Sequence, residues 1–336
     1  MARRMILWSF AVLAVVAIAA YAAFEFTPWP KALLIRHAFS TEAAKVKAAL
    51  AAHVPPGVAE RLDVRYAGES DTLLDAFYPA SADGTSTVLP TVVWVHGGAW
   101  ISGTRKDVGE YLKIIAARGY AAVSVEYSIA PGAAYPTPLR QVNAALAWLR
   151  EHGRELHVDA SRIVLAGDSA GAQIVAQIAN IVSVPSYAAA IGIQPSLPRR
   201  DLKGVLLNCG AYDITSVDLE GPFGDFLRTV MWSYSGTHDF MSDPRFATVS
   251  VVKYVTSDFP PAFISSGNGD PLTPQSKALA AKLTEAGATV DALFFPDDTT
   301  PPLPHEYQFN LDTDAGRLAL DRMLAFLARV VPPTAG

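Results

Sequence analysis

Residues 163–178 read Ile-Val-Leu-Ala-Gly-Asp-Ser-Ala-Gly-Ala-Gln-Ile-Val-Ala-Gln-Ile. The apolar run Ile163 to Ala166 predicts a strand buried on both faces. Gly167 to Gly171 follow at once, and Gln173, Ile174, Val175, Gln177 and Ile178 then take up helical spacing. A chain that passes from strand to helix in so few residues needs glycine wherever a Cβ would clash. Such a turn holds the Ser169 hydroxyl beyond the sheet edge, beside the free N–H groups of a helix N-terminus. Gly-x-Ser-x-Gly alone is often an ordinary turn. A strand before it and a helix after it are the context that makes its serine a nucleophile.

The rest of the chain is read around that unit. Leu62–Tyr66 and Leu73–Tyr78 are short alternating runs with Ala67-Gly68-Glu69-Ser70-Asp71 between them, and predict an antiparallel hairpin. The run Thr91 to Val95 is nearly all β-branched and predicts a doubly buried strand. Helix and strand then alternate: helix 108–118, strand 121–127, helix 139–152, the Ser169 unit, strand 205–209, strand 262–266, helix 274–286, strand 290–295 and helix 314–327. Apolar strands alternating with helices imply a mostly parallel sheet covered on both faces, with antiparallel strands at its start. Residues 210–260 lack that alternation and are rich in aromatics, which suits either a lid or core packing.

The 336 residues are enough for one large α/β domain and an appendage, and a hydrophobic content of 51% excludes a disordered chain. A net charge of −5 without a long basic run argues against nucleic acid as a partner. The single cysteine, Cys209, permits no internal disulfide and no cysteine-based metal site. Met5 to Phe24 carries no charge, follows Arg3 and Arg4, and is about long enough to cross a bilayer. We therefore expect residues 1–26 to be a transmembrane anchor, with all that follows outside the cytoplasm, periplasmic or extracellular. A cleaved signal peptide is the alternative, since Ala17-Ile18-Ala19 and Ala20-Tyr21-Ala22 resemble cleavage sites. Pro28 and Pro30 are expected to break the helix there. Residues 27–60, with a short helix over 38–52, read as a linker or cap. Residues 61–336 read as the catalytic domain.

A serine hydroxyl needs a base within hydrogen-bond reach and a group that orients the base. In open α/β sheets such groups sit on loops at the carboxyl ends of strands. His305 and Asp270 both meet that rule, and Ser169, Asp270, His305 is the order expected of a triad on this kind of sheet. Asp297 and Asp298 read as solvated loop charges, Asp258 lies at the wrong end of a strand, and His238 is the reserve base. His96-Gly97-Gly98-Ala99-Trp100 follows a strand one unit before the serine. The N–H groups of Gly97, Gly98 and Ala170 are the expected oxyanion donors. Trp100 is a candidate wall of the substrate pocket.

Four segments carry a resemblance. His96-Gly97-Gly98-Ala99-Trp100, Ser124-Val125-Glu126-Tyr127-Ser128-Ile129-Ala130-Pro131, Gly167-Asp168-Ser169-Ala170-Gly171 and Gly269-Asp270-Pro271-Leu272 occur in the order and spacing of the hormone-sensitive-lipase-like carboxylesterases. The sequence therefore resembles the α/β-hydrolase fold over roughly Leu62 to Arg329. Ala99 stands where that family has a third glycine, as in its feruloyl-esterase-like and arylformamidase-like relatives. Glu306-Tyr307 follows the histidine where Gly-Phe is usual. The resemblance implies hydrolysis of short-chain or aryl esters as small-molecule substrates, with no cofactor and no metal, and a structural role for Asp168. The alternatives are an arylformamidase-like amidase with the same triad, and a membrane-anchored ligand-binding protein without catalysis.

Overall fold

The computed structural model describes residues 2–333. Eight strands form one sheet in the order β1-β2-β4-β3-β5-β6-β7-β8. They are β1 (Val58–Arg65), β2 (Leu73–Pro79), β3 (Leu89–Val95), β4 (Ala121–Val125), β5 (Val158–Asp168), β6 (Leu202–Asn208), β7 (Ala262–Ser266) and β8 (Val290–Phe294). β1 pairs antiparallel with β2, and β2 with β4; the other pairs are parallel. The expected sheet, with its antiparallel start, is the one observed.

Alternation along the strands divides the core. In β3, Val92 and Trp94 face one helical layer, while Val93 and Val95 face the other. The first layer holds α3 (Gly109–Ala116) and α9 (Asp314–Val330), and the second holds α4 (Thr137–His152) and α5 (Ser169–Ser183). All seven residues of β3 are buried, as a strand covered on both faces requires. A fully buried aliphatic side chain contributes about 1.5–3 kcal/mol, so this doubly covered sheet is a rigid platform.

Two pairings position the site. β3 lies between β4 and β5, where the direction of winding reverses; open sheets present their crevice there. Val95 pairs with Gly167, which brings the loop after β3 against the turn after β5.

The N-terminal region differs from expectation in one respect. The first helix, α1, spans Ala2–Phe26, and the second, α2, spans Trp29–Ala51, so α2 begins well before residue 38. Pro28 caps α2 and Pro30 lies in its first turn. There the missing N–H costs nothing and the fixed φ favours a helix, so these prolines start α2. The joint between the two helices is two residues long. None of the segment Arg4–Phe26 is buried. The 210–260 stretch contains α7 (Gly224–Ser235) and short 3-10 turns. A further short helix, α6 (Pro185–Ile191), follows α5, and α8 (Thr273–Glu285) lies between β7 and β8.

Candidate active site

The turn after β5 holds Ser169 at φ +49°, a left-handed conformation that costs a non-glycine residue roughly 1–2 kcal/mol. Packing offsets that strain: α5 is buried along nearly its whole length. Gly171 is required because a Cβ there would collide with the Val95 carbonyl oxygen. The serine is thereby fixed on a rigid support, close to the β3 loop.

Ser169 Oγ lies 2.9 Å from His305 Nε2, and His305 Nδ1 lies 2.9 Å from Asp270 Oδ2. These partners assign the proton to Nδ1, which donates to the carboxylate, and leave Nε2 to accept from the serine hydroxyl. Asp270 also accepts from Ser266 Oγ at 3.0 Å and from the Leu272 N–H at 2.8 Å, and it is buried. The loop carrying His305 reaches back past β7 and β6 and is stitched down by Asn268. Asn268 Nδ2 donates to the Thr299 carbonyl and its Oδ1 accepts from the Leu303 N–H, both at 2.9 Å. Burial lowers the His305 pKa, but the hydrogen-bonded Asp270 carboxylate and the neighbouring Glu306 raise it, and it lies well above the ordinary value. His238 packs edge-on against Trp232, and Asp297 is a solvent-exposed partner of Lys277.

Cys209, Asp270 and His305 bring potential metal-ligating atoms within 4.8 Å of one another. Yet His305 and Asp270 are bonded to each other, and His305 Nε2 is bonded to Ser169. Burial pushes the Cys209 thiol up, so it is a neutral group behind the triad. The donor atoms are engaged with one another and with Ser169, and they do not fit a cation.

The loop after β3 contains three successive left-handed residues, Gly98 (φ +107°), Ala99 (φ +53°) and Trp100 (φ +58°). A Cβ on Gly98 would meet the Ser102 carbonyl oxygen. His96 anchors the loop: its Nδ1 lies 2.8 Å from the Gly97 carbonyl oxygen, its Nε2 3.4 Å from Glu126, and its ring stacks on Tyr127 at 4.3 Å. Glu126 is held in turn by Arg105 at 3.0 Å, and Arg105 also binds Asp75 and Asp63.

One expectation needs correction here. The Gly97 N–H donates to Asp168 Oδ2 at 2.8 Å, so it is committed to a buried carboxyl and is not free for an oxyanion. Among the described residues, the N–H groups of Gly98 and Ala99 have no bonded partner outside regular elements, and the Ala170 N–H lies in the first turn of α5. Asp168 also accepts from Trp94 Nε1 at 2.7 Å. Its carboxyl therefore ties β3, the β3 loop and the serine turn together. Burial, and then the neighbouring Glu306, push its pKa up to about 8. Glu306 was not legible as a site residue. Its side chain enters between His305 and Gly97 and lines the cleft.

A cleft of about 1140 Å³ opens over Ser169, His305 and the β3 loop. Its walls come from α2 (Phe39, Ala43, Val46) and from α7 (Phe226, Val230, Met231). Phe39 and Phe226 meet with ring centroids 6.0 Å apart. Arg36 fastens α2 to the domain, donating from Nε to the Ile101 carbonyl at 2.8 Å and from Nη2 to the Ala130 carbonyl at 3.0 Å. Trp100 borders the cleft but is only 3% exposed, stacked on Tyr234 at 4.7 Å. Within 210–260 the aromatics divide. Tyr212, Tyr234, Phe240 and Phe246 are core, whereas Phe223 and Phe226 border the cleft.

Comparison with known proteins adds to this geometry. The family model described as the alpha/beta hydrolase fold matches residues 92–299. The chain is 31% identical over 280 residues to carboxylesterase NlhH of Mycobacterium tuberculosis, covering 81% of this chain and 82% of the relative. It is 29% identical over 238 residues to esterase LipQ of the same organism, covering 68% of this chain and 54% of LipQ; the match thus spans about half of that longer protein. Esterase B of Lactobacillus rhamnosis superimposes with a TM-score of 0.75 at 24% identity, over 88% of this chain and 95% of that one, which shows the shared fold. With β3 and β5 in register, a serine at their junction and relatives of this kind, the chain belongs to the alpha/beta hydrolase fold family, alongside these carboxylic ester hydrolases.

Proposed function

We propose that this protein hydrolyses short-chain or aryl carboxylic esters by two-step acyl transfer on Ser169. The observation that carries the reading is the unbroken line Ser169 Oγ–His305 Nε2 and His305 Nδ1–Asp270 Oδ2, each link 2.9 Å. Ser169 Oγ attacks the ester carbonyl while His305 Nε2 takes its proton. Asp270 holds the imidazole in the accepting tautomer and stabilises the imidazolium. The carbonyl oxygen, now anionic, is held by the N–H groups of Gly98, Ala99 and Ala170. His305 returns its proton to the leaving alcohol; it then takes one from a water that attacks the acyl carbonyl, and gives it to Ser169 Oγ as the Oγ–acyl bond breaks and the acid departs. None of these steps calls for a metal or organic cofactor.

The same reading covers the N-terminus. Arg4–Phe26, at about 1.5 Å per residue, is roughly 35 Å long and matches the hydrocarbon core of a bilayer. We assign it as an anchor that leaves the catalytic domain outside the cytoplasm, with α2 as a cap over the cleft.

Labelling of the full chain with a fluorophosphonate probe tests the catalytic reading. Wild type is expected to label, and Ser169→Ala to give no labelling. An unlabelled wild type, or a labelled Ser169→Ala, overturns it.

A further inference from the structure

Glu306 stands in a conformation that its residue type resists. Its backbone is left-handed, at φ +60° and ψ +28°. That costs a residue with a Cβ roughly 1–2 kcal/mol, and glycine almost nothing. A strained residue beside a nucleophile is a pointer to function. Its side chain is placed accordingly. Glu306 Oε1 is 3.9 Å from His305 Nε2, the atom that serves Ser169. A Cβ on Gly97 would lie 3.1 Å from that same oxygen and would collide with Asp168 Oδ2, so the two carboxyls converge on the first residue of the β3 loop.

Two carboxyls converging at the rim of a buried site cannot both ionise cheaply unless cations neutralise them. Among the described residues, no lysine or arginine is bonded to either one. The titratable groups that face the pair are His305, His96, Cys209 and Tyr127; His96 turns its Nε2 to Glu126 at 3.4 Å, and His305 is neutral in the active form, in which Nε2 accepts from Ser169. Burial pushes the thiol of Cys209 and the hydroxyl of Tyr127 up, so both are neutral. Asp168 already receives an N–H on each oxygen, from Trp94 and from Gly97. Glu306 Oε1 is the further carboxyl oxygen beside that Gly97 position.

Resting on the triad reading above, we propose that Glu306 is a positioning residue: its carboxyl shares one proton with Asp168, fastens the His305 loop to the β3 loop, and on losing that proton shuts the enzyme down at alkaline pH. The balance is simple. Below the transition the pair carries one proton and one negative charge. Above it the proton passes to solvent and the pair carries two charges. The second charge separates the carboxyls and lies next to Gly97 and Gly98, where it opposes the negative charge that develops on the substrate carbonyl oxygen. The raised Asp168 pKa, about 8, agrees with a proton retained beyond neutrality.

The test is kcat for p-nitrophenyl butyrate from about pH 6 to about pH 10, measured on the full-length wild type, Glu306→Gln and Glu306→Gly. Each ionisation of this kind removes up to about tenfold per pH unit above its midpoint. In wild type, kcat at about pH 9.5 is expected to be at least about tenfold below its value at about pH 7.5. In both variants that ratio is expected to stay within about twofold, because neither side chain ionises. Glu306→Gly also relieves the left-handed backbone, so it reports even if the glutamine variant fails to fold. A wild type without the alkaline fall, or variants that keep it, overturns the proposal. Fluorophosphonate labelling at neutral pH separates the two readings. A wild type that labels Ser169 but lacks the alkaline fall sinks the role of Glu306 alone, whereas one that neither labels nor hydrolyses sinks both.

Discussion

Replacing Asp270 with asparagine leaves the site nearly isosteric while reversing the two bonds at Oδ2, of which the Ser266 hydroxyl can turn to accept and the His305 N–H cannot. The side chain is buried and receives three donors: His305 Nδ1 at 2.9 Å, Ser266 Oγ at 3.0 Å and the Leu272 N–H at 2.8 Å. The bond from Leu272 goes to Oδ1, and an asparagine carbonyl there preserves it. At Oδ2 an NH₂ now faces His305 and donates where a carboxylate accepted. The imidazole proton is then driven to Nε2, pointing at Ser169 Oγ, and the base is lost. The imidazolium of the transition state also loses its counter-charge at 2.9 Å. A wrong tautomer together with a lost buried charge partner costs on the order of 10³–10⁴ in kcat, which corresponds to about 4–5.5 kcal/mol of barrier. The assay is kcat and KM for p-nitrophenyl butyrate at constant pH, with a thermal melt to verify folding. Because Leu272 keeps its acceptor, the melt is expected to shift little while kcat collapses. A folded variant that loses less than about tenfold in kcat would show that Asp270 does not orient His305.

Other outcomes follow from the same contacts. His305 acts as a base only when neutral, and its pKa is raised above the ordinary value against the pull of burial, through the Asp270 carboxylate and Glu306. In the free enzyme, kcat/KM should therefore climb with pH through a midpoint above about 6.5; a midpoint at or below that value contradicts the assigned environment. Arg36→Ala removes two hydrogen bonds that fasten α2 beside the cleft, to Ile101 and Ala130. With a half-exposed donor, that loosens α2 by about 1–3 kcal/mol. Limited proteolysis within residues 27–60 should accelerate, and KM should rise more than kcat falls; unchanged proteolysis would show that α2 is held by other contacts.

The sheet was readable because its signal is local and repeated. Runs such as Thr91 to Val95 state both strand and burial, and β3 is buried at every position. The serine turn was readable because its glycines are demanded by contact, Gly171 with the end of β3 and Gly167 with the first turn of α5. Other features depend on which residues meet across the fold. Nothing near Gly97 in the sequence says that its N–H is taken by Asp168, since the two lie 71 positions apart and meet only when Val95 pairs with Gly167. Two glycines after a strand made Gly97 look free, and the left-handed geometry moves the open donors to Gly98 and Ala99. Trp100 shows the same limit. It borders the cleft as its place in the sequence suggested, but its ring is stacked on Tyr234, 134 residues away by number, and is almost wholly buried. Pro28 and Pro30 do part α1 from α2, but a proline in a first turn also starts a helix, so α2 begins at Trp29 and not near residue 38.

The two-residue joint between α1 and α2 has a mechanical consequence. With α1 in a bilayer, as proposed, α2 is moored at its N-terminal end, and its first turn cannot swing far without dragging the span along. The opposite wall, α7, is moored differently: Val230, Met231 and Tyr234 are buried and the Tyr234 carbonyl accepts from the Tyr135 N–H, while Phe223 at its N-terminal end is exposed. The cleft then has one wall tied to the bilayer through α1 and the other tied to the protein core through α7, so its two sides are held by different means.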